Sequence, residues 1–348
     1  MFIGLQYLRA GAAVFVVLYH FLISSVFKDS WFAGYSGLIH FWAIGVDLFF
    51  VLSGFIIAYS TYNSGKSLSR IKFLLLRVVR IYPMYWLFSL CVLILYIAPI
   101  TKEYIFNYEY LIKSLILFPV TDSNGDNFPI LGVGWTLILE MYFYLTFCVF
   151  FALGKWKAFA SLFVVMTLFF FIGESYFSGS PFANLVSNPA IFEFLLGYLI
   201  YNMHSNHIIA SKFIIYRKFI LLLAVCCPLI LLIYWDVLGT SLVFIKGVFS
   251  GAVLILAIQR PQTGLSRIGK VSKLIGDSSY SLYLSHTIII IIITGFWKRD
   301  LLAPVIGFEV LYILFSAIIC IVFAMIHYTF IEKKCNQFLA NIIRRKFL

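Results

Sequence analysis

LQYLRAGAAVFVVLYHFLISSVF, residues Leu5 to Phe27, is long enough to cross a bilayer as a helix, which takes about 20 mostly apolar residues. It nevertheless carries Arg9 near one end and His20 further in. The two positions are eleven apart, and at roughly 100° per residue that is about 20° past three full turns, so both side chains share one face. At about 1.5 Å per residue they lie roughly 16 Å apart along the axis. A permanent cation and a titratable imidazole on one stripe of a membrane helix mark a functional site by default. The structural alternative is an arginine snorkelling to the interface and a packed, hydrogen-bonded histidine. What accompanies them elsewhere in the chain decides between the two.

Composition extends the helical reading to the whole chain. Of its 348 residues, 63% are hydrophobic and 11% are charged, and the mean hydropathy is +1.01. Soluble domains average about 25% charged residues, so this is an integral membrane protein. The apolar segments are long and unbroken rather than short and alternating, which selects helices over the strands of an outer-membrane barrel. The first run lacks a basic segment ahead of it and a small-residue cleavage site, so it is expected to remain as a helix. A net charge of +12 does not indicate nucleic acid, because the basic residues sit in short loops where they set topology. The six cysteines form no spaced pair in a loop; neither a disulfide framework nor a metal site is expected.

Ten spans are expected, at residues 5–27, 38–60, 81–100, 133–153, 159–173, 189–203, 219–235, 240–258, 278–296 and 308–331. The fifth and sixth are short, as tilted or partly interfacial segments are. One set of loops and the tail hold nineteen Lys and Arg, and the opposite set holds five. That asymmetry puts both termini in the cytoplasm. Most of the acidic residues fall in the outer loops, and the longest of these, residues 101–131, carries an aromatic and acidic stretch suited to an interfacial amphipathic helix. The expected organisation is one transmembrane domain over residues 1–331 and a basic tail over 332–348 lying along the anionic inner leaflet.

Depth estimates sort the intramembrane ionisable groups into two levels. His20 lies about 22 Å from the inner boundary, while Asp47 and Glu140, on inward-running spans, lie about 13 Å and about 10 Å below the outer one. A carboxylate beside an imidazole raises its basicity and fixes its tautomer, which suits a general base. On the cytoplasmic side, Arg9 lies about 6 Å inside the boundary. Arg77 and Arg80 share a helical face at i and i+3 where the third span begins. Tyr82, Pro83, Tyr85 and Trp86 then follow at the interface. Such an RxxR is either a topology signal or, together with Arg9, a set of planar, always-charged donors for phosphate oxygens. Gly54 and Ser53 of the second span read as packing residues. His286 lies about 12 Å from the cytoplasmic boundary, either as a site residue or as a hydrogen-bonded structural histidine. His327, Glu193 and Lys246 show no partner pattern.

Taken in order, Arg9 and His20, GVDLFFVLSGF (45–55), RVVRIYP (77–83), WTLILEMYFY (135–144) and SYSLYLSH (279–286) resemble the membrane-bound acyltransferase type 3 family of bacterial carbohydrate O-acyltransferases. The resemblance runs across most of the chain, and is nearest to single-domain members acting on lipopolysaccharide O-antigen or exopolysaccharide. It implies an inner-membrane enzyme that moves an acyl group, usually acetyl from acetyl-CoA, onto a sugar hydroxyl of a lipid-linked or polymeric glycan, with no metal. It also implies functional roles for Arg9, His20, Arg77 and Arg80, extended to Asp47, Glu140, Trp135 and His286. The expected mechanism puts the donor phosphates on Arg9, Arg77 and Arg80 and the pantetheine arm along the first helix. His20, oriented by Asp47 or Glu140, is then the base. A covalent acyl-His intermediate is the other route, with ping-pong kinetics as its signature. A proton-coupled transporter or flippase is the rival class, since buried His, Asp and Glu also build proton relays. Against it, the chain has no visible repeated halves.

Overall fold

The computed structural model describes residues 2–24, 36–63, 68–97, 107–122, 125–177, 179–238, 242–259, 266–297 and 309–347. Among them every regular element is helical: α1 (Ile3–Leu22), α2 (Ser36–Phe41), α3 (Ile44–Tyr62), α4 (Arg70–Ile97), α5 (Tyr108–Leu115), α6 (Trp135–Phe150), α7 (Lys155–Tyr176), α8 (Pro181–Val186), α9 (Ile191–Ser205), α10 (Ile208–Leu238), α11 (Leu242–Ile258), α12 (Arg267–Asp277), α13 (Ser279–Trp297), α14 (Glu309–His327) and α15 (Lys333–Lys346). Eight helical segments of the described residues are long and apolar enough to cross a bilayer, and Leu242–Ile258 and Ser279–Thr294 are shorter apolar helices. These correspond in order to the expected ten spans. The fifth is a full-length helix of 22 residues rather than a short one. Lys28, Lys66, Lys102, Arg260, Lys298 and Arg299 of the topology argument, with Asp29, Glu103 and Asp300, lie outside the described residues.

The chain forms two compact units, residues 1–55 with 196–328 and residues 56–195 with 329–348. In the first unit α1 is the central helix, packed on α11, α12, α13 and α14. Its small residues allow this: Ala10, Ala12 and Ala13 are buried together with Val16, Val17 and Phe21. Helix α12 crosses α1 where Gly276 meets the Gln6 backbone, so closely that a Cβ there would collide with the Gln6 carbonyl. In the second unit α4 packs on α6 and on α15, and α6 on α7. Helix α7 leaves Phe163, Val164, Leu168, Phe171 and Ile172 exposed, a face that only lipid can cover without penalty.

In the second unit helix α4 starts at Arg70 and runs for 28 residues, so Arg77 and Arg80 lie about 10 and 15 Å along it. The aromatic residues after them are midway along the helix and hold the C-terminal end of α5. The Tyr82 and Tyr85 hydroxyls donate to the Ile116 and Ser114 carbonyls, both at 2.7 Å, and the Trp86 indole donates to the Leu115 carbonyl at 2.8 Å. These carbonyls lie at the C-terminal end of α5, where helical carbonyls lack intrahelical partners, and that of Ser114 also accepts from the Leu117 N–H at 3.1 Å. The amphipathic helix of the long loop therefore exists, but its C-terminal end is bound to the flank of α4.

Candidate active site

His20 on α1 faces His286 on α13 within the first unit. Their ring centroids are 4.8 Å apart, and His286 Nε2 lies 3.3 Å from His20 Nδ1. Helix α13 is rich in buried small residues, Ser279, Ser281 and Ser285, and the His286 ring is buried with them. Each imidazole also uses Nδ1 on the carbonyl one turn back, His20 on Val16 at 2.9 Å and His286 on Leu282 at 3.0 Å. A carbonyl only accepts, so with both rings neutral each Nδ1 carries the proton. The His20 N–H is then shared between the Val16 carbonyl and the acceptor Nε2 of His286. His20 Nε2 has no hydrogen-bond partner among the described residues and keeps its lone pair, the state a base or nucleophile needs.

Of the carboxylates expected at His20, Asp47 makes no hydrogen bond to it among the described residues. Asp47 on α3 is buried and pairs with Lys246 on α11 at 3.5 Å. Depth alone set Asp47 beside His20, but depth does not fix the direction in which a side chain leaves its helix. His327, likewise without a sequence partner, meets the Ser281 hydroxyl at 2.7 Å. Arg9 is half-buried on α1, on the same helix as His20.

Glu140 belongs to the second unit, with Arg77. Phe73 and Arg77 are one turn apart on α4, and Glu140, Tyr144 and Phe147 occupy one face of α6. The Arg77 guanidinium carbon stands 5.4 Å from the Phe73 centroid and 5.5 Å from that of Tyr144. Its Nη2 donates to the Ser60 hydroxyl at 2.9 Å, while its buried Nε has no hydrogen-bond partner among the described residues. The buried Tyr144 hydroxyl donates to the Glu140 carboxylate. Arg80, one turn on, lies within electrostatic reach of Arg77 and Tyr144. Two aromatic faces make a buried guanidinium tolerable, and its planar donors remain suited to an anionic oxygen. Trp135 opens α6 and lines a separate cleft of the same unit. Among the described residues no group of three or more His, Cys, Asp and Glu side chains forms a metal-type cluster.

Among curated proteins the chain is similar to the exopolysaccharide production protein ExoZ of Rhizobium meliloti strain 1021, at 27% identity over 256 residues covering 72% of this chain and 77% of that protein. It is also similar to nodulation protein 10 of Rhizobium leguminosarum bv. viciae, at 29% identity over 314 residues covering 76% and 78%. No solved structure matches it. The model of the acyltransferase 3 family, described as an acyltransferase domain, matches residues 2–328. The chain, a multi-pass membrane protein with His20 and Arg77 each held in a defined setting, belongs to that acyltransferase family.

Proposed function

We propose that this acyltransferase works in a bacterial inner membrane and transfers an acyl group, acetyl in the simplest case, from acyl-CoA to a sugar hydroxyl of a polysaccharide. The His20–His286 arrangement carries the reading, because it leaves one imidazole nitrogen with an available lone pair. The likeness to ExoZ, an exopolysaccharide production protein, supports a polysaccharide acceptor, with O-antigen as a related glycan. In the first unit His20 Nε2 takes the proton of the sugar hydroxyl. The hydroxyl oxygen attacks the thioester carbonyl, the C–S bond breaks, and the imidazolium returns its proton to the departing thiolate. His286 and the Val16 carbonyl hold the tautomer that makes this possible. Arg9, on the same helix about 16 Å away, is suited to the phosphate end of an extended donor. In the second unit Arg77 and Arg80 are a further pair of phosphate-type donors, with Glu140 and Tyr144 positioning Arg77. Asp47 acts as the counter-ion of Lys246 and not as a catalytic group.

The test is a His20→Ala protein, checked for normal insertion and yield, supplied with radiolabelled acetyl-CoA and de-O-acetylated polysaccharide. Label should reach the polysaccharide with the wild-type protein and not with the variant. Retained transfer by His20→Ala overturns the assignment. Parallel initial-rate lines at varied donor and acceptor would move Nε2 from base to acyl carrier.

A further inference from the structure

We infer that a cleft at one end of the second unit is the acceptor subsite and takes an uncharged sugar ring; this rests on the glycan acyltransfer proposed above. The cleft has a volume of about 300 Å³ and is formed by Pro119, Val120 and residues 126–128, the first turn of α6, and α8 with Asn188. It lies at the end of the unit away from Arg70, which donates to the Val149 carbonyl at 3.2 Å near the other end of α6. Small-molecule sites begin at about this size and combine apolar walls with a few placed polar groups. Here Trp135 and Phe128 supply flat aromatic surfaces, and Asp126, Asn127, Asn184 and Asn188 supply the polar atoms.

Hydrogen-bond accounting gives those atoms a direction. The Asn127 side-chain oxygen accepts from the Thr121 hydroxyl at 3.0 Å, and that of Asn188 accepts from the Ala190 N–H at 3.0 Å. Both oxygens are thus engaged by the protein, and both amide nitrogens are left as donors without partners among the described residues. The Asp126 carboxylate is left as an acceptor, and the Asn184 amide is left as both. The loop presenting Asp126 is already set, since the Asp122 carboxylate accepts from the Asp126 N–H at 2.9 Å and the Asp122 N–H donates to the Asp126 carbonyl at 2.7 Å. Gly125 closes that turn at φ +87°, a left-handed conformation that glycine adopts without strain.

Donors and acceptors side by side match a ligand whose groups do both, which is the property of vicinal hydroxyls. The aromatic faces match the C–H face of a pyranose ring. No lysine or arginine lines the cleft and Asp126 does, so a phosphate-bearing ligand such as the acyl donor is disfavoured there. A lipid chain would leave the polar groups covered and unpaired.

Full-length protein in nanodiscs, with radiolabelled acetyl-CoA and polysaccharide isolated from a strain lacking the gene, provides the test. Asn184→Ala removes an exposed amide that bonds nothing in the protein, so folding is not at issue. It should raise the acceptor KM about five- to tenfold, the loss of one or two hydrogen bonds, and leave the donor KM within twofold. Trp135→Phe should show the same split in smaller measure. An unchanged acceptor KM in both variants overturns the assignment, as does a rise confined to the donor KM. If wild-type protein labels no polysaccharide at all, the glycan reading itself fails and the subsite falls with it, which a KM comparison keeps distinct.

Discussion

At the residue scale, the contact between His20 Nδ1 and His286 Nε2 at 3.3 Å separates a positioning role from simple packing. Replacing His286 with Leu keeps an apolar side chain but removes the acceptor, so the His20 ring is held by the Val16 carbonyl alone. A lost hydrogen bond of this kind is worth about 1.5–3 kcal/mol where a charge develops, which is roughly ten- to a hundredfold in kcat. His286→Gln retains a side-chain acceptor and should recover part of that loss, whereas a packing role predicts no advantage of Gln over Leu. Steady-state kinetics of the two variants decides it. The Asp47–Lys246 pair, 3.5 Å apart, carries a separate expectation. Removing the carboxylate of a well-buried pair costs up to about 3–5 kcal/mol, whereas replacing both partners by apolar groups is often neutral. Asp47→Leu should therefore lower the thermal unfolding midpoint in detergent, and adding Lys246→Met should restore most of it. Non-recovery in the double variant would mean that Asp47 does something beyond neutralising Lys246. These pairings were only half legible in the sequence. Spacing and depth singled out His20, Asp47 and Glu140 as unusual, but partners such as Lys246 and His286 lie far along the chain. Their meeting depends on which helices touch and at what rotation, which hydropathy does not encode.

At the element scale, the helices followed from apolar run length, and their ends followed less well. The third span was placed at residues 81–100, and the helix that carries it begins at Arg70, because an apolar run marks the apolar part of a helix and not its end. What admits Arg77 to the helix interior is the pair of rings from Phe73 and Tyr144 around its guanidinium, and half of that pair comes from another element. That Tyr82, Tyr85 and Trp86 each bond a carbonyl at the end of α5 was not legible, since a ring that satisfies a carbonyl and a ring that sits at a lipid interface look alike in one dimension. The bond from the buried Tyr85 hydroxyl to the Ser114 carbonyl at 2.7 Å now gives α5 a specific dependence on α4. Tyr85→Phe should leave that carbonyl with the Leu117 N–H alone, at a cost of about 0.5–1.5 kcal/mol. Amide hydrogen exchange across residues 108–116 should then speed up about two- to tenfold, while exchange in α6 stays as it was. Equal protection in the variant would show that α5 is held by its other contacts.

At the scale of the whole molecule, the division into two units left no mark on the sequence, because α3 and α9 each run through a boundary between them and no linker separates the parts. A chain that returns its residues 196–328 to pack with residues 1–55 is organised by contacts of large sequence separation, and local composition is blind to those. Orientation, by contrast, was argued from local composition alone, by nineteen cationic residues against five, and the helices by themselves do not fix it. Ten spans with that bias predict both termini on the cytoplasmic side. On that expectation the basic residues Lys333, Lys334, Arg344, Arg345 and Lys346 on α15 would face the anionic inner leaflet, and the cleft at Trp135 and Asn184 would open outward. Two labels test this together. A green fluorescent protein fused after Leu348 should fluoresce, as it does only in the cytoplasm. A cysteine at Asn184, in a chain whose six native cysteines have been replaced, should react in intact spheroplasts with a membrane-impermeant maleimide. A dark fusion with an unreactive Asn184→Cys would invert the molecule. It would also set the proposed sugar cleft against the cytoplasm, where an acceptor assembled on the outer face could not reach it.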